Sequence, residues 1–333
     1  MTHAIIRGIE YHLPAAVLSN DELAAQDAKW TPAEIEAKTG IAQRHLAAAD
    51  ECASDLAVQA ARPLLDSGYC RAEDVDYLLF ATQSPDYLLP TTACLVQERL
   101  GLPTACGALD INLGCSGYVY GLGLAKGLVE TGQARRVLLL TADTYSKYLH
   151  ADDLHVRTLF GDAGAATLVM RAEDDDAELG ECIGPFVYGT DGRGAENLMV
   201  PDGGLRKGST SERTAPLRLV MDGPEIFRFT LEAVPQALGD LMERARLDQN
   251  DVDLFVFHQA NKFILDHLRR KMRIPPDKFY VAMRHCGNTV SASIPIALKH
   301  AMMEGRLRRG DRVALVGFGV GYSWAAALLR WRG

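Results

Sequence analysis

Nowhere in the 333 residues do two cysteines form a C-x-x-C pair, so the usual signature of a structural zinc or a dithiol redox centre is missing. The seven cysteines, at positions 52, 70, 94, 106, 115, 182 and 286, are odd in number and scattered. Free thiols in a reducing cytoplasm account for them best. Also missing is any stretch near the roughly 18 consecutive apolar residues of a membrane span, and the opening MTHAIIRGIEYHLP lacks the apolar core of a signal peptide. Positive charge is in deficit, with 35 Lys and Arg against 43 Asp and Glu and a formal charge of -8. Nucleic acid is therefore a poor partner, because phosphate binding relies on a cationic surface that releases counterions. His155, His267 and His285 lack the spacing of metal ligands, and no metal site is expected. What the chain does have is apolar content, 48%, enough for a large core in two domains or one duplicated unit.

Strand-like and helix-like patterns alternate along the whole chain, which favours an α/β fold. The stretch from Glu73 to Phe80, EDVDYLLF, resembles Asn250 to Phe257, NDVDLFVF, at an offset of 177. Arg136 to Leu140, RVLLL, resembles Arg312 to Val316, RVALV, at an offset of 176. Two matches at nearly one offset point to duplication, with residues 1–172 and 173–333 as the halves. The competing explanation is that apolar strands look alike by chance. Under duplication, His258 falls at the end of a strand, and Cys115 and Asn288 both precede corresponding helices. Halves related by a pseudo-twofold axis would bring these starts together, at the strand ends where α/β sheets collect ligands.

The stretch 110–121, DINLGCSGYVYG, sets a lone cysteine between a strand-like run, Leu109 to Leu113, and a helix-like run, Tyr118 to Thr131. Free NH groups and the positive end of a helix dipole favour an anion, so the pattern predicts a depressed thiol pKa and a nucleophile. Gly114 and Gly117 would let a thioester come close to the backbone. The other reading is a buried, inert thiol, the commoner fate of a free cysteine. A G-x-S-x-G elbow around Ser116 fails, because Tyr118 stands where glycine is required. The run from Gly317 to Gly321, GFGVG, lacks G-x-G-x-x-G spacing and precedes a strand-like segment, Ser323 to Leu329, so no dinucleotide cradle is expected.

Phe257 to Asn261 (FHQAN), Cys286 to Pro295 (CGNTVSASIP) and Gly317 to Tyr322 (GFGVGY) complete a constellation with Cys115. It resembles the thiolase-fold condensing enzymes, specifically β-ketoacyl-acyl-carrier-protein synthase III. The resemblance covers nearly the whole chain and includes Lys38 to Ile41 (KTGI), Arg44-His45, Leu89 to Cys94 (LPTTAC) and Phe160 to Ala166 (FGDAGAA). It implies a thiolase-like, five-layer αβαβα fold from two duplicated halves. It also implies decarboxylative condensation of an acyl thioester with malonyl-acyl-carrier-protein through an acyl-Cys115 intermediate. In that pattern Cys115 is the nucleophile, the backbone NH groups of Cys115 and Val320 form the oxyanion hole, and His258 and Asn288 donate to the enolate left by decarboxylation. Lys38, Arg228 and Asn261 correspond to coenzyme A or pantetheine contacts, and Leu89 to an aromatic that a partner subunit inserts into the acyl tunnel. The resemblance implies a homodimer and no cofactor, with coenzyme A or phosphopantetheine thioesters as substrates.

Residue types separate the relatives. A thiolase would carry a second cysteine in GFGVGYSW, which has none, and the elongating synthases have histidine where Asn288 stands. That leaves the initiating or chalcone-like branch. Housekeeping synthases stack adenine on a tryptophan that aligns with Glu34 and clamp it with an arginine that aligns with Leu154. Trp30 and Arg157 lie near enough to substitute. Together with Leu89 in place of the aromatic, these departures imply a specialised acyl group, in fatty acid or polyketide-type metabolism. Lys262, Arg269, Arg270, Lys271 and Arg273 form a local basic segment. It is either a docking face for the acidic acyl carrier protein or a solvated helix face. Two other functions share the residues: acyl transfer to a hydroxyl or amine without decarboxylation, and a non-catalytic partner subunit.

Overall fold

The computed structural model describes residues 3–26, 29–173, 178, 180–206 and 217–332. In chain order the first part contains β1 (Ala4–His12), β2 (Ala16–Ser19), α1 (Asn20–Ala24), α2 (Pro32–Thr39), β3 (Gln43–Leu46), α3 (Ala53–Asp66), β4 (Tyr77–Ala81), α4 (Thr92–Arg99), β5 (Gly107–Ile111), α5 (Gly117–Glu130), β6 (Arg136–Asp143), α6 (Leu154–Arg157) and β7 (Ala163–Arg171). The second contains β8 (Ile183–Thr190), β9 (Leu198–Met199), β10 (Val220–Met221), α7 (Gly223–Ala245), β11 (Leu254–Phe257), α8 (Lys262–Lys271), β12 (Phe279–Tyr280), α9 (Ser293–Met303), β13 (Arg312–Gly319) and β14 (Ser323–Arg330).

Two five-stranded sheets result, ordered β1-β7-β6-β4-β5 and β12-β11-β13-β14-β8. Tyr77 faces Val137 across the parallel pair β4–β6, and Leu254 faces Val313 across the parallel pair β11–β13. The stretches that look alike in sequence thus occupy the same place and register in the two sheets. The central strands are buried on both faces, which is why they read as unbroken apolar runs. Helices α5 and α9 lie between the sheets, α3 and α4 cover the outer face of the first, and α7 and α8 cover the second. This is the five-layer arrangement expected.

Local chemistry sets the helix ends that matter. Asp222 caps α7 by accepting from the Glu225 N–H at 3.1 Å, and Asn261 caps α8 by accepting from the Ile264 N–H at 2.9 Å. Along α7 the buried residues Phe229, Ala233, Val234, Ala237, Leu238 and Leu241 form one stripe. Each large member contributes roughly 1.5–3 kcal/mol by leaving water. Strand β5 ends at Ile111, not at Leu113 as the apolar run suggested. The Leu113 N–H turns back to the Ile111 carbonyl at 2.9 Å, and the chain leaves the ladder toward Cys115. No described helix is long and apolar enough to cross a membrane.

Candidate active site

Cys115 sits in the turn between β5 and α5, two residues before the first helical position. Ser116 Oγ shares a hydrogen bond with Ser323 Oγ at 2.6 Å, tying this turn to the start of β14. His258 directly follows β11, with its N–H donating to the Val316 carbonyl at 2.8 Å. Asn288 precedes α9; its N–H donates to the Leu159 carbonyl at 2.8 Å and its carbonyl accepts from the Gly161 N–H at 3.0 Å. Its side-chain Oδ1 accepts from the Val290 N–H at 3.0 Å, which leaves Nδ2 free to donate. Val290 pays for that geometry with φ 52°, a left-handed conformation costly for a β-branched residue.

Cys115, His258 and Asn288 all line one cavity of about 760 Å³. The convergence read from the duplication is thus a feature of the structure. Strand β13 reaches the nucleophile turn only because it carries glycine there. A Cβ on Gly319 would lie 2.8 Å from Cys115 Cβ and 2.9 Å from its Sγ, and one on Gly317 would lie 2.8 Å from the Cys115 carbonyl. The backbone N–H groups of Cys115 and Val320 favour the charged form of the thiol.

The electrostatics differ from expectation at the thiol. Burial, with a smaller contribution from Asp143, pushes the Cys115 thiol up to about 12, against the lowering effect of the Cys115 and Val320 N–H groups. The helix-start argument for a depressed pKa is overturned because desolvation outweighs a partial dipole charge. Burial likewise drives His258 down to about 3 and keeps it neutral, with a backbone hydrogen bond at Val290 acting in the opposite direction. His258 Nδ1 shares a hydrogen bond with Ser293 Oγ at 2.7 Å. Cys286 is pushed up to about 12 by burial and packs among Ala163, Ala165, Ala292 and Ile296, as a structural thiol does.

Toward the surface the cavity is lined by Trp30, Lys38, His155, Phe227, Asn261 and Phe263. Lys38 Nζ stands 4.9 Å from the centre of the Trp30 ring, and His155 meets that ring edge-on at 5.9 Å. Sequence reasoning missed His155, which it weighed only as a metal ligand; its only other signal is its nearness to the aligned Leu154. Arg228 is not among the lining residues, since its guanidinium pairs with Glu225 one turn back on α7. Arg157 is also outside the lining, bonded to the Gln26 side chain and the Ala151 carbonyl. Leu89 projects from this chain at 84% exposure, with Tyr87 and Leu88 exposed beside it. On α8, Lys262 pairs with Asp266, Arg270 reaches the Asp266 carbonyl and Lys271 reaches the Leu231 carbonyl.

Two layered halves with a cysteine, a neutral histidine and an oriented asparagine in one cavity define a thiolase-fold condensing enzyme. The family model of 3-oxoacyl-[acyl-carrier-protein] synthase III matches residues 109–192, and its C-terminal model matches residues 242–331. A β-ketoacyl-[acyl-carrier-protein] synthase III of Caldanaerobacter subterraneus subsp. tengcongensis is 35% identical over 98% of this chain and 97% of its own. A crystal structure of a 3-oxoacyl-(acyl-carrier-protein) synthase III is 52% identical, with a TM-score of 0.95 over 99% of this chain and 100% of that one. The priming β-ketosynthase of a polyketide biosynthetic pathway is 28% identical, with a TM-score of 0.90 over 99% of this chain and 96% of that one. The chain belongs to the β-ketoacyl-acyl-carrier-protein synthase III family of acyl-transferring condensing enzymes.

Proposed function

We propose that Cys115 takes an acyl group from a donor thioester and that a malonyl-type thioester then condenses with it. In the first half-reaction Sγ attacks the donor carbonyl, the oxyanion draws on the Cys115 and Val320 N–H groups, and the thiol proton leaves with the donor's sulfur. In the second, the malonyl carboxylate departs as carbon dioxide and its bonding pair becomes an enolate. His258 and Asn288 donate to the enolate oxygen without placing a fixed charge beside it. The enolate carbon attacks the acyl-Cys115 carbonyl, the carbon–sulfur bond breaks, and the thiolate takes a proton from water. The carrying observation is that all three side chains line one largely apolar cavity, with Gly319 of β13 packed against Cys115.

On this reading the substrates are coenzyme A or phosphopantetheine thioesters, no resident cofactor is required, and the chain works in the cytoplasm. Lys38 and Asn261, which line the mouth, contact the thioester's arm on this reading. Arg228 contacts pantetheine only if it leaves Glu225. Lys262, Arg269, Arg270 and Lys271 on α8 offer an acidic carrier protein a basic face. A homodimer is supported by β5, an edge strand with Leu109 exposed, and by the exposed Tyr87–Leu89 segment, which suits Leu89 to a second copy's acyl pocket. Glu34 caps α2 through Thr31 and offers no adenine-stacking ring, which together with Leu89 in place of an aromatic supports a specialised acyl donor. Incubating the protein with a thioester panel and malonyl-acyl-carrier-protein tests this. An acyl adduct on Cys115 by intact mass, followed by carbon dioxide release, is expected. An adduct without carbon dioxide would mean transfer to another acceptor, no adduct would mean a non-catalytic subunit, and strict preference for acetyl-coenzyme A would overturn the specialised role.

A further inference from the structure

One carboxylate of the first half reaches across to the second. Asp143 ends β6, is fully buried, and makes no ion pair among the described residues. Its Oδ1 accepts from the Gln83 N–H at 2.8 Å, and its Oδ2 accepts from the Ser291 hydroxyl at 2.5 Å and the Ser291 N–H at 3.2 Å. Ser291 is the centre of the short turn 290–292, which separates Asn288 from α9. The residues flanking it do two jobs. On one side the Val290 N–H holds Asn288 Oδ1; on the other Ser293 Oγ, at the start of α9, holds His258 Nδ1. Both enolate donors therefore hang on one turn, and Asp143 is its main polar anchor to the first half, backed by a longer contact from Ser291 Oγ to the Ala81 carbonyl at 3.4 Å.

The other carboxylate oxygen holds the backbone that follows β4. Gln83 Oε1 accepts from the Tyr145 hydroxyl at 2.6 Å, and a Cβ on Gly114 would lie 2.3 Å from that same oxygen. A buried carboxylate with no cation is expensive, and three donors offset part of that cost. An unpaired charge beside a cysteine nucleophile also works against thiolate formation, so activating the thiol is not its role. We propose that Asp143 is a positioning residue that fixes the 290–292 turn so that His258 and Asn288 meet the enolate in the second half-reaction.

This inference rests on the condensation reading, and separating the two half-reactions tests each. In D143N and in S291A, acylation of Cys115 by a donor thioester, followed by intact mass, is expected to stay within about threefold of the parent. Malonyl decarboxylation on the acylated enzyme should fall by about 10- to 100-fold, the scale of a small misplacement of reacting groups. At pH 8, where Asp143 is ionised, D143N should also raise the rate of iodoacetamide alkylation at Cys115, because it removes a charge that lifts the thiol; a loss of folding would expose the thiol and speed alkylation too, but it would lower Cys115 acylation along with decarboxylation. S291A keeps the carboxylate and so guards against a folding defect peculiar to D143N. Decarboxylation unchanged in both variants, or both half-reactions lowered equally, would overturn the positioning role. A parent enzyme that acylates but releases no carbon dioxide would overturn the condensation reading itself.

Discussion

Asn288 is aimed by its own oxygen. With Oδ1 occupied by the Val290 N–H, the carboxamide has one orientation in which both ends are useful, and that orientation presents Nδ2 to the cavity. N288D keeps the acceptor and loses the donor. It also adds negative charge where an enolate forms and where Asp143 already lies buried. Condensation should fall by about 10²-fold or more, the usual loss for one donor to an oxyanion, while the acyl-Cys115 adduct still forms. Carbon dioxide release and intact mass on the same sample check this, and equal loss of both would assign Asn288 to the nucleophile instead. His258 differs in kind, because burial holds it neutral; an imidazolium would draw the malonyl carboxylate to itself and oppose its departure.

At the scale of elements, the end of β13 presses on the nucleophile turn, where a Cβ on Gly319 would lie 2.8 Å from Cys115 Cβ. G319A must push either β13 or the nucleophile turn aside. Cys115 acylation should drop by about 10- to 100-fold, with stability lowered by roughly 1–3 kcal/mol as in other overpacked sites; stopped-flow acylation and urea melts measure the two. Helix α8 makes a separate prediction. Reversing Arg270 and Lys271 to Glu should raise KM for carrier-protein substrates severalfold, more at low salt, and leave small pantetheine thioesters unchanged; equal effects on both would make α8 a solvated face. The paired strands β4 and β11, and β6 and β13, were legible because burial on both faces writes continuous apolar runs at a common offset. Cys115, His258 and Asn288 were legible through the motifs around them. Asp143 was not, since LLLTAD reads as the end of any buried strand and its partner Ser291 lies 148 positions away. The thiol's pKa was misread for a similar reason: a helix start shows in sequence, whereas the burial that outweighs it depends on β13 from the other half.

At the scale of the whole molecule, two of the buried titratable groups act on stability in opposite directions. His258 falls from its ordinary 6.5 to about 3, so below pH 6.5 the unfolded chain binds a proton that the folded chain refuses. Stability from this group is present above pH 6.5 and is lost as pH falls toward 3. Asp143 is raised from 3.8 to about 7, chiefly by burial. The folded chain keeps a proton there that the unfolded chain releases, so this group favours folding at low pH and that advantage is lost as pH rises from about 4 to 7. Between about pH 4 and 6.5 the two slopes cancel. D143N removes one of them, and the remaining His258 slope should appear as an added gain of up to about 1.4 kcal/mol per pH unit relative to the parent. Urea melts of parent and variant at pH 4.5, 5.5 and 6.5 measure that difference directly, with the other histidines and carboxylates common to both. Parallel curves would mean that Asp143 is already ionised in the folded protein at pH 4.5. In that case its bonds to Ser291 and Gln83 outweigh the cost of its burial.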